Sequence, residues 1–249
     1  MFLKSKRGLI VEIEITKKLK KNPIIIDGFP GIGLVATIAT EFLIEHLGAK
    51  EVGTIKGTEI PPLVAIHDKK IVKPMSLYYD EKHNILILHV ISGSGGVEWK
   101  LADLLLKKAA ELGAKEIVSL ESVGVPGEKE GEKIRSFFYS NRDANAKKLS
   151  KMGVEPLVEG IIMGVTGALM QRADGIPLSC IFAETHSGLP DSKAAAKLIE
   201  VLDAYVGLHV DPKPLIQSAE KFEQKIRGLL EKSKEATTEA QKKKLSYVG

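Results

Sequence analysis

Two glycine-rich segments in the chain could hold a phosphate group against the backbone. Residues 31–36 read Gly-Ile-Gly-Leu-Val-Ala and match the dinucleotide-binding fingerprint, with a predicted strand before them and a predicted helix after them. Residues 92–96, Ser-Gly-Ser-Gly-Gly, follow another predicted strand and could bind an anion through backbone N–H groups. This second segment lacks the Lys and the Ser or Thr that end a P-loop, which argues against nucleoside-triphosphatase chemistry. The glycines could instead allow close packing in a turn or at a subunit interface.

His186 is the best-placed candidate for a catalytic side chain. With Glu184 it stands at the end of a predicted strand, where ligands bind in open α/β sheets. Ser94 could serve as its nucleophile, but the glycines around Ser94 do not have the spacing of a nucleophile elbow. No histidines have a metal-ligand spacing and Cys180 has no cysteine partner, so we expect neither a metal nor a cofactor. A structural histidine is the simpler interpretation, and a nucleotide- or small-ligand-binding α/β enzyme that uses the glycine-rich loops is the alternative function.

The C-terminal end of the chain has the character of a docking peptide. Tyr247 lies two residues before the terminal carboxylate and follows the basic run 242–244. From Asp211 to Gly249 there are nine Lys/Arg and six Asp/Glu residues, so this part carries most of the formal net charge of +4. The basic run either keeps the segment soluble or attracts it to an acidic protein surface.

The composition of the chain is that of a globular protein. It has 249 residues, of which 44% are hydrophobic and 27% charged, and no apolar run is long enough to span a bilayer. The part before residue 211 is nearly neutral, and its basic residues are not interleaved with aromatic ones, which argues against a nucleic-acid surface. A single cysteine and the lack of a signal-peptide pattern favour a reducing interior. We therefore expect a cytoplasmic protein that binds neither nucleic acid nor membrane.

Apolar runs and helical periodicity alternate along the chain, which predicts an α/β fold with a mostly parallel central sheet flanked by helices. We predict strands at 9–15, 23–29, 52–56, 63–66, 71–77, 85–91, 116–121, 134–140, 160–164 and 178–184. We predict helices at 32–47, 97–112, 144–152 and 191–206, and one that starts near 164 and runs to about 172. Gly48 and Gly113 should end the first two helices, and Asp191 should cap the helix that follows it. Residues 71–77 and 85–91 should form a hairpin, because a turn signal lies between them.

A protruding C-terminal helix is predicted after residue 210. Its apolar residues recur at alternating steps of four and three, a heptad-like pattern that should pack against a partner or another copy of the chain. The residues of this stripe are Leu215, Ala219, Phe222, Ile226 and Leu229. The sequence therefore predicts an α/β core domain over 1–210 and a C-terminal helix with a flexible docking tail over 211–249.

Four motifs taken in order resemble the archaeal branch of the proteasome assembly chaperone 2 family. They are FPGIGLVA at 29–36, GVPG at 124–127, EGIIMGVTGALM at 159–170 and GLPDSKAAAKLIEVLDAYVGLHVD at 188–211. The resemblance covers roughly residues 27–215. It implies an architecture related to that of nucleoside phosphorylases without their active site, a ring-like or compact homo-oligomer, and an assembly role without ATP or catalysis.

The same resemblance implies a role for the tail. Some members of the family carry a hydrophobic–Tyr–any-residue terminus that docks between α subunits of the 20S proteasome ring. Here Leu245, Tyr247, Val248 and Gly249 are the residues similar to that motif, with Tyr247 one position earlier than in the family. A paralogous chaperone that binds the helix stripe is the other possible partner, and an unbound, disordered terminus is the simplest alternative.

Overall fold

The computed structural model of the protein describes residues 11–60, 62–67, 69–93, 95–125, 133–185, 189–217 and Gly228. Within these ranges the strands are β1 (Val11–Ile15), β2 (Ile24–Gly28), β3 (Lys50–Gly57), β4 (Ala65–His67), β5 (Lys70–Val72), β6 (Met75–Asp80), β7 (Ile85–Val90), β8 (Glu116–Gly124), β9 (Ser136–Ser140), β10 (Glu155–Pro156) and β11 (Leu178–Thr185). The helices are α1 (Val35–Leu47), α2 (Glu98–Leu112), α3 (Asp143–Lys151), α4 (Gly164–Arg172), α5 (Ser192–Val206) and α6 (Lys213–Gln217).

A nine-stranded sheet with the order β1-β3-β6-β7-β2-β8-β11-β9-β10 forms the centre of the molecule, and β4 and β5 form a separate two-stranded ribbon. The strands β7, β2, β8 and β11 pair in parallel. The pairs β1–β3, β3–β6, β6–β7 and β11–β9 are antiparallel. The α/β fold with flanking helices is as predicted, but the sheet is mixed rather than mostly parallel. The short β6–β7 turn is one cause, because a tight hairpin can join only antiparallel strands.

The central strands are apolar on both sides because helices cover both faces of the sheet. Ile26 faces a core cluster shared with α1 and α5, whereas its neighbour Ile25 faces a second cluster shared with α2 and α4. All six residues of β7 are buried. Successive side chains of β2 point to opposite faces of the sheet, so the position of a polar residue in this strand determines which of the two helix layers it faces.

The predicted helix ends are confirmed. Gly48 and Gly113 have left-handed backbone conformations with φ of 62° after α1 and α2. The carboxylate of Asp191 accepts a 2.9 Å hydrogen bond from the backbone N–H of Ala194 at the start of α5. Among the described helices, none is both long and apolar enough to cross a membrane.

The strand predicted at 160–164 is wrong. Residues 157–163 are an irregular segment between β10 and α4, and Ile161 is 90% exposed in it. The run of apolar residues suggested a strand, but β11 already pairs with β8 on one side and β9 on the other. The segment therefore has no central strand to join.

A short helix, α6, lies at the position where the sequence predicts that the C-terminal helix begins. Leu215 in α6 is fully buried and belongs to the same core cluster as α1 and α5. Its proposed role in tail-helix packing or self-association stays a prediction, as does the domain boundary at 210/211. Phe222, Ile226 and Leu229 lie outside the described residues.

Candidate functional site

The glycine-rich loop after β2 packs tightly against the ends of neighbouring strands. A Cβ atom on Gly31 would lie 2.3 Å from Oε1 of Glu121, which is in β8. Gly33 has φ of 65°, and a Cβ there would lie 2.8 Å from Oγ1 of Thr185 in β11. The backbone N–H of Asp191 donates a 2.9 Å hydrogen bond to the carbonyl of Gly33. The space beside the fingerprint glycines is thus filled by the protein's own side chains, which supports close packing as the role of these glycines.

A chain of polar groups, buried at Asp27, Ser119 and Thr166 and partly buried at Glu121, lies beneath this loop, on the face of the sheet covered by α4. Asp27 in β2 is the direct neighbour of Ser119 in β8, and the Ser119 hydroxyl donates to Oδ1 of Asp27 at 2.9 Å. The hydroxyls of Ser119 and Thr166 are 3.1 Å apart, and Thr166 donates to Oε2 of Glu121 at 3.2 Å. The backbone N–H of Ser122 donates to Oε1 of Glu121 at 3.0 Å. Two carboxylates are therefore linked through two hydroxyls inside the fold.

Burial changes the protonation of both carboxylates. Loss of hydration raises the pKa of Asp27 to about 7, against the hydrogen bond from Ser119, which lowers it. Loss of hydration likewise raises the pKa of Glu121 to about 7, against hydrogen bonds from Ser122 and Thr166. The sequence analysis missed this pair. The available signal was Asp27 itself, an acidic residue inside the apolar strand Ile-Ile-Ile-Asp-Gly.

A second buried polar group joins α1 to β7. Nδ1 of His89 lies 2.9 Å from Oγ1 of Thr40, and Nε2 of His89 lies 3.0 Å from Oε2 of Glu41. This hydroxyl–imidazole–carboxylate order matches that of a hydrolase triad. However, Thr40 is fully buried and its hydroxyl also contacts the carbonyls of Ala36 and Thr37. The arrangement therefore satisfies polar groups inside the helix–sheet interface.

The second glycine-rich segment differs from the first in its surroundings. A Cβ atom on Gly93, Gly95 or Gly96 would meet nothing within 4 Å. The carboxylate of Glu98 accepts hydrogen bonds from the backbone N–H of Gly96 at 3.0 and 3.1 Å. A carboxylate already bound to this N–H would repel a phosphate, so the loop is poorly suited to bind an anion.

The structure describes only part of the predicted catalytic set. Ser94 and His186 lie outside the described residues. Glu184 accepts a hydrogen bond from the backbone N–H of Arg135 at 3.3 Å, which ties β11 to the segment before β9. Cys180 is fully buried, and burial raises the pKa of its thiol well above the ordinary value.

The irregular segment 157–163, called here the apolar loop, exposes large hydrophobic side chains. Val158, Ile161 and Met163 are 84%, 90% and 77% exposed. Met163 also lines a shallow cleft with Trp99 of α2, whose ring carries the guanidinium of Arg172 at 4.5 Å. Clustered exposed apolar side chains of this kind mark interaction surfaces in soluble proteins.

A second apolar surface surrounds the ribbon of β4 and β5. Ile66 and Ile71 are cross-strand partners and are 68% and 66% exposed. Next to the ribbon is a cleft of about 420 Å³, called here the hairpin cleft, whose apolar lining includes Ile55, Ile60 and Val64. The two charged side chains among its described lining residues are lysines at 56 and 73. An open apolar cleft beside an exposed ribbon fits a protein-binding surface.

These features describe an α/β protein in which its own side chains fill the space at the carboxyl ends of the central strands. Apolar side chains are exposed elsewhere on its surface. The chain belongs to the PAC2 family, whose model matches residues 25–230. This confirms the resemblance read from the four sequence motifs.

Solved structures and curated relatives agree with this assignment. PbaA from Pyrococcus furiosus, an archaeal homolog of proteasome-assembly chaperone, is 28% identical, with a TM-score of 0.80 over 92% of this chain and 100% of that one. PbaB from the same organism, an archaeal proteasome activator, shares the fold at 23% identity and a TM-score of 0.73, over 88% of this chain and 98% of that one. Two uncharacterized proteins of Methanocaldococcus jannaschii are 29% and 27% identical over 95% and 94% of this chain and 97% of each relative.

The predicted docking residues Leu245, Tyr247, Val248 and Gly249 lie outside the described residues. Sequence reasoning found these candidates but missed the apolar loop as a surface, because it assigned residues 160–163 of that loop to a strand. The role of the four tail residues as a partner-binding site stays a prediction.

Proposed function

We propose that the protein is a non-enzymatic, homo-oligomeric proteasome assembly chaperone or proteasome-binding platform that acts in the cytoplasm without ATP. The observation that carries this proposal is the match of the PAC2 family model to residues 25–230. The likeness to PbaA, an archaeal homolog of proteasome-assembly chaperone, supports it over nearly the whole chain. An architecture related to nucleoside phosphorylases and a protruding C-terminal helix remain parts of the proposal.

The surface of the molecule supports a binding role. The apolar loop and the ribbon of β4 and β5 present large aliphatic side chains to solvent. In contrast, the side chains of Glu121 and Thr185 occupy the space beside the glycines of the loop after β2. A platform for other proteins needs exposed apolar side chains to bind them, and it does not need an open ligand pocket at the glycine-rich loop.

The C-terminal tail is the proposed docking element, with proteasome α subunits as the partner and a paralogous chaperone as the other candidate. Its terminal carboxylate would pair with a lysine of the target pocket, and the ring of Tyr247 would be buried with its hydroxyl hydrogen-bonded. One short peptide binds weakly, so several tails on one oligomer would supply the affinity through avidity.

An assembly reaction tests this function. Separately purified proteasome α and β subunits are mixed with and without the protein, and 20S particles are followed by native gel and by peptidase activity. The proposal predicts faster or more complete assembly that does not change when ATP is added. Assembly that proceeds identically without the protein contradicts the chaperone role, and a requirement for ATP contradicts the ATP-independent mechanism.

The nucleotide- or small-ligand-binding enzyme remains the competing function, and a thermal-shift measurement separates the two. A ligand that binds the folded state raises the melting temperature by an amount that grows with the logarithm of its concentration above the dissociation constant. The platform proposal predicts no shift with nucleosides, nucleotides or dinucleotides. A shift that grows with ligand concentration in this way and disappears in Gly33→Val would favour the enzyme.

A further inference from the structure

We propose that copies of this chain associate head to tail, with the apolar loop of one copy seated in the hairpin cleft of the next. The inference rests on the proposed homo-oligomer and names the interface that would build it. The occupant of the cleft is thus a second copy of this chain.

The apolar loop is a protruding element with little cover from its own molecule. Val158, Ile161 and Met163 are each more than three-quarters exposed. The neighbouring Ile162 is partly buried and packs against the core cluster under α2 and α4. One side of the loop is therefore anchored, and the other side presents aliphatic groups in a fixed arrangement.

The ribbon of β4 and β5 also exposes apolar side chains that another element would normally bury. A two-stranded ribbon alone is at best marginally stable in water and usually packs against another element. Here the cross-strand pair Ile66 and Ile71 is about two-thirds exposed on each side, and Val64 beside it is 59% exposed. The hairpin cleft next to the ribbon, at about 420 Å³, falls within the range of about 300–1,000 Å³ that encloses drug-sized groups. A few aliphatic side chains of a protruding loop would fit such a space.

The positions of the two surfaces favour a head-to-tail contact. The apolar loop follows β10, the last strand at one end of the sheet. The ribbon connects β3 and β6, the second and third strands from the other end. A contact between two unlike surfaces of the same chain is heterologous and repeats from copy to copy, which gives a ring where the rotation between copies closes. A contact between two apolar loops would leave every hairpin cleft uncovered.

The rim of the hairpin cleft carries lysines that can pair with an acidic residue of the apolar loop. Glu159 is the one ionisable residue in the segment 157–163. Lys56 and Lys73 are the charged side chains of the described cleft lining, and both already pair with exposed glutamates, Glu14 and Glu51. Such exposed pairs are weak, so a lysine at the rim can turn toward Glu159 of an incoming loop. Opposite charge at the rim would also set the register of the contact.

Engineered cysteines test the contact directly. Cys180 is fully buried, so only added thiols react with a short bis-maleimide. We expect Glu159→Cys and Lys73→Cys to cross-link when the two variants are mixed and allowed to exchange subunits, and neither variant to cross-link alone. A chain with both substitutions should give a covalent ladder that ends at the subunit number found by native mass spectrometry.

A second experiment places a charged side chain in the apolar loop. Ile161→Glu should weaken self-association at least ~tenfold, as the loss of an interface hot spot does, with an unchanged circular dichroism spectrum. The matched control is Ala110→Glu, because Ala110 is an exposed apolar residue of α2 that lies outside both surfaces and outside the predicted C-terminal helix. It should keep the oligomer intact.

The other outcomes have distinct meanings. Cross-linking of Glu159→Cys with itself would show a loop-to-loop contact and overturn the head-to-tail interface. An intact oligomer without a mixed cross-link, or one unaffected by Ile161→Glu, would also overturn it while leaving the proposed homo-oligomer in place. An unmodified protein that is monomeric by native mass spectrometry would contradict the homo-oligomer itself.

Discussion

The hydroxyl of Ser119 in β8 donates a 2.9 Å hydrogen bond to Oδ1 of the fully buried Asp27 in β2, and Oδ2 of Asp27 has no hydrogen-bond partner among the described residues. A buried carboxylate with one oxygen unsatisfied is costly in its charged form. The nearby Glu121 adds a like charge. The pair therefore couples the protonation of the molecule to its folding.

We predict that the free energy of unfolding falls as pH rises from about 4 to about 7. The ordinary pKa values of Asp27 and Glu121 are 3.8 and 4.5, and both are about 7 in the folded protein. Between these values the folded protein holds protons that the unfolded chain has released, so stability is highest below the window and is lost through it. One pKa unit corresponds to about 1.4 kcal/mol, so the shift of Asp27 alone represents roughly 4 kcal/mol. Urea denaturation across this pH range measures the decline.

Asp27→Asn tests the origin of that decline. An amide cannot ionise and still offers an oxygen to Ser119, so the pH dependence should shrink by roughly half. The control is Asp174→Asn, because Asp174 is an exposed aspartate after α4 and should leave the slope unchanged. Parallel pH profiles for Asp27→Asn and the unmodified protein would show that the carboxyl group of Asp27 does not cause the decline.

Gly31→Ala should destabilise the fold by about 1–3 kcal/mol. The added methyl group would lie 2.3 Å from Oε1 of Glu121, and the carboxylate can move away only by giving up its hydrogen bonds from Ser122 and Thr166. Gly93→Ala is the matched control, because a Cβ there meets nothing within 4 Å. Chemical denaturation of both variants provides the comparison. Equal stabilities would show that Gly31 is not needed for packing and would reopen a ligand-binding role for the loop.

Removal of residues 211–249 should destabilise the core, whereas removal of residues 218–249 should not. The difference is α6, where Leu215 is fully buried in the cluster shared with α1 and α5. Leu215→Ala should reproduce the loss, at about 2–5 kcal/mol, and the partly exposed Ile216→Ala should not. Thermal and urea denaturation of the four variants measure this. A shorter chain ending at residue 210 with unchanged stability would place the domain boundary where the sequence put it.

Local patterns in the sequence predicted many of the elements correctly. The apolar runs of β2 and β7, the helical period of α1 and the capping residues Gly48 and Asp191 all identified their elements, because each depends on a few neighbouring residues. The sequence did not show which neighbouring strands run parallel and which run antiparallel. A strand that is buried on both faces reads as apolar whichever way its neighbours run.

The features of the site depended on contacts that are distant in sequence. The pairing of Asp27 with Ser119 follows from the register of β2 on β8, residues that are 92 positions apart. The exposure of Ile161 was hidden because an apolar residue in a short run usually indicates burial. Family resemblance, in contrast, depended on motifs spread along the chain and was confirmed by the PAC2 match.

We propose that this protein is an oligomeric platform that docks on the proteasome through its tail. Native mass spectrometry of the full-length protein, alone and mixed with a proteasome α-subunit ring, shows whether this docking occurs. We expect a discrete homo-oligomer that binds the ring and stops binding in Tyr247→Ala or after removal of residues 247–249, while the tail control Ser246→Ala still binds. An oligomer that ignores the ring, or one whose binding survives both tail changes, would contradict it.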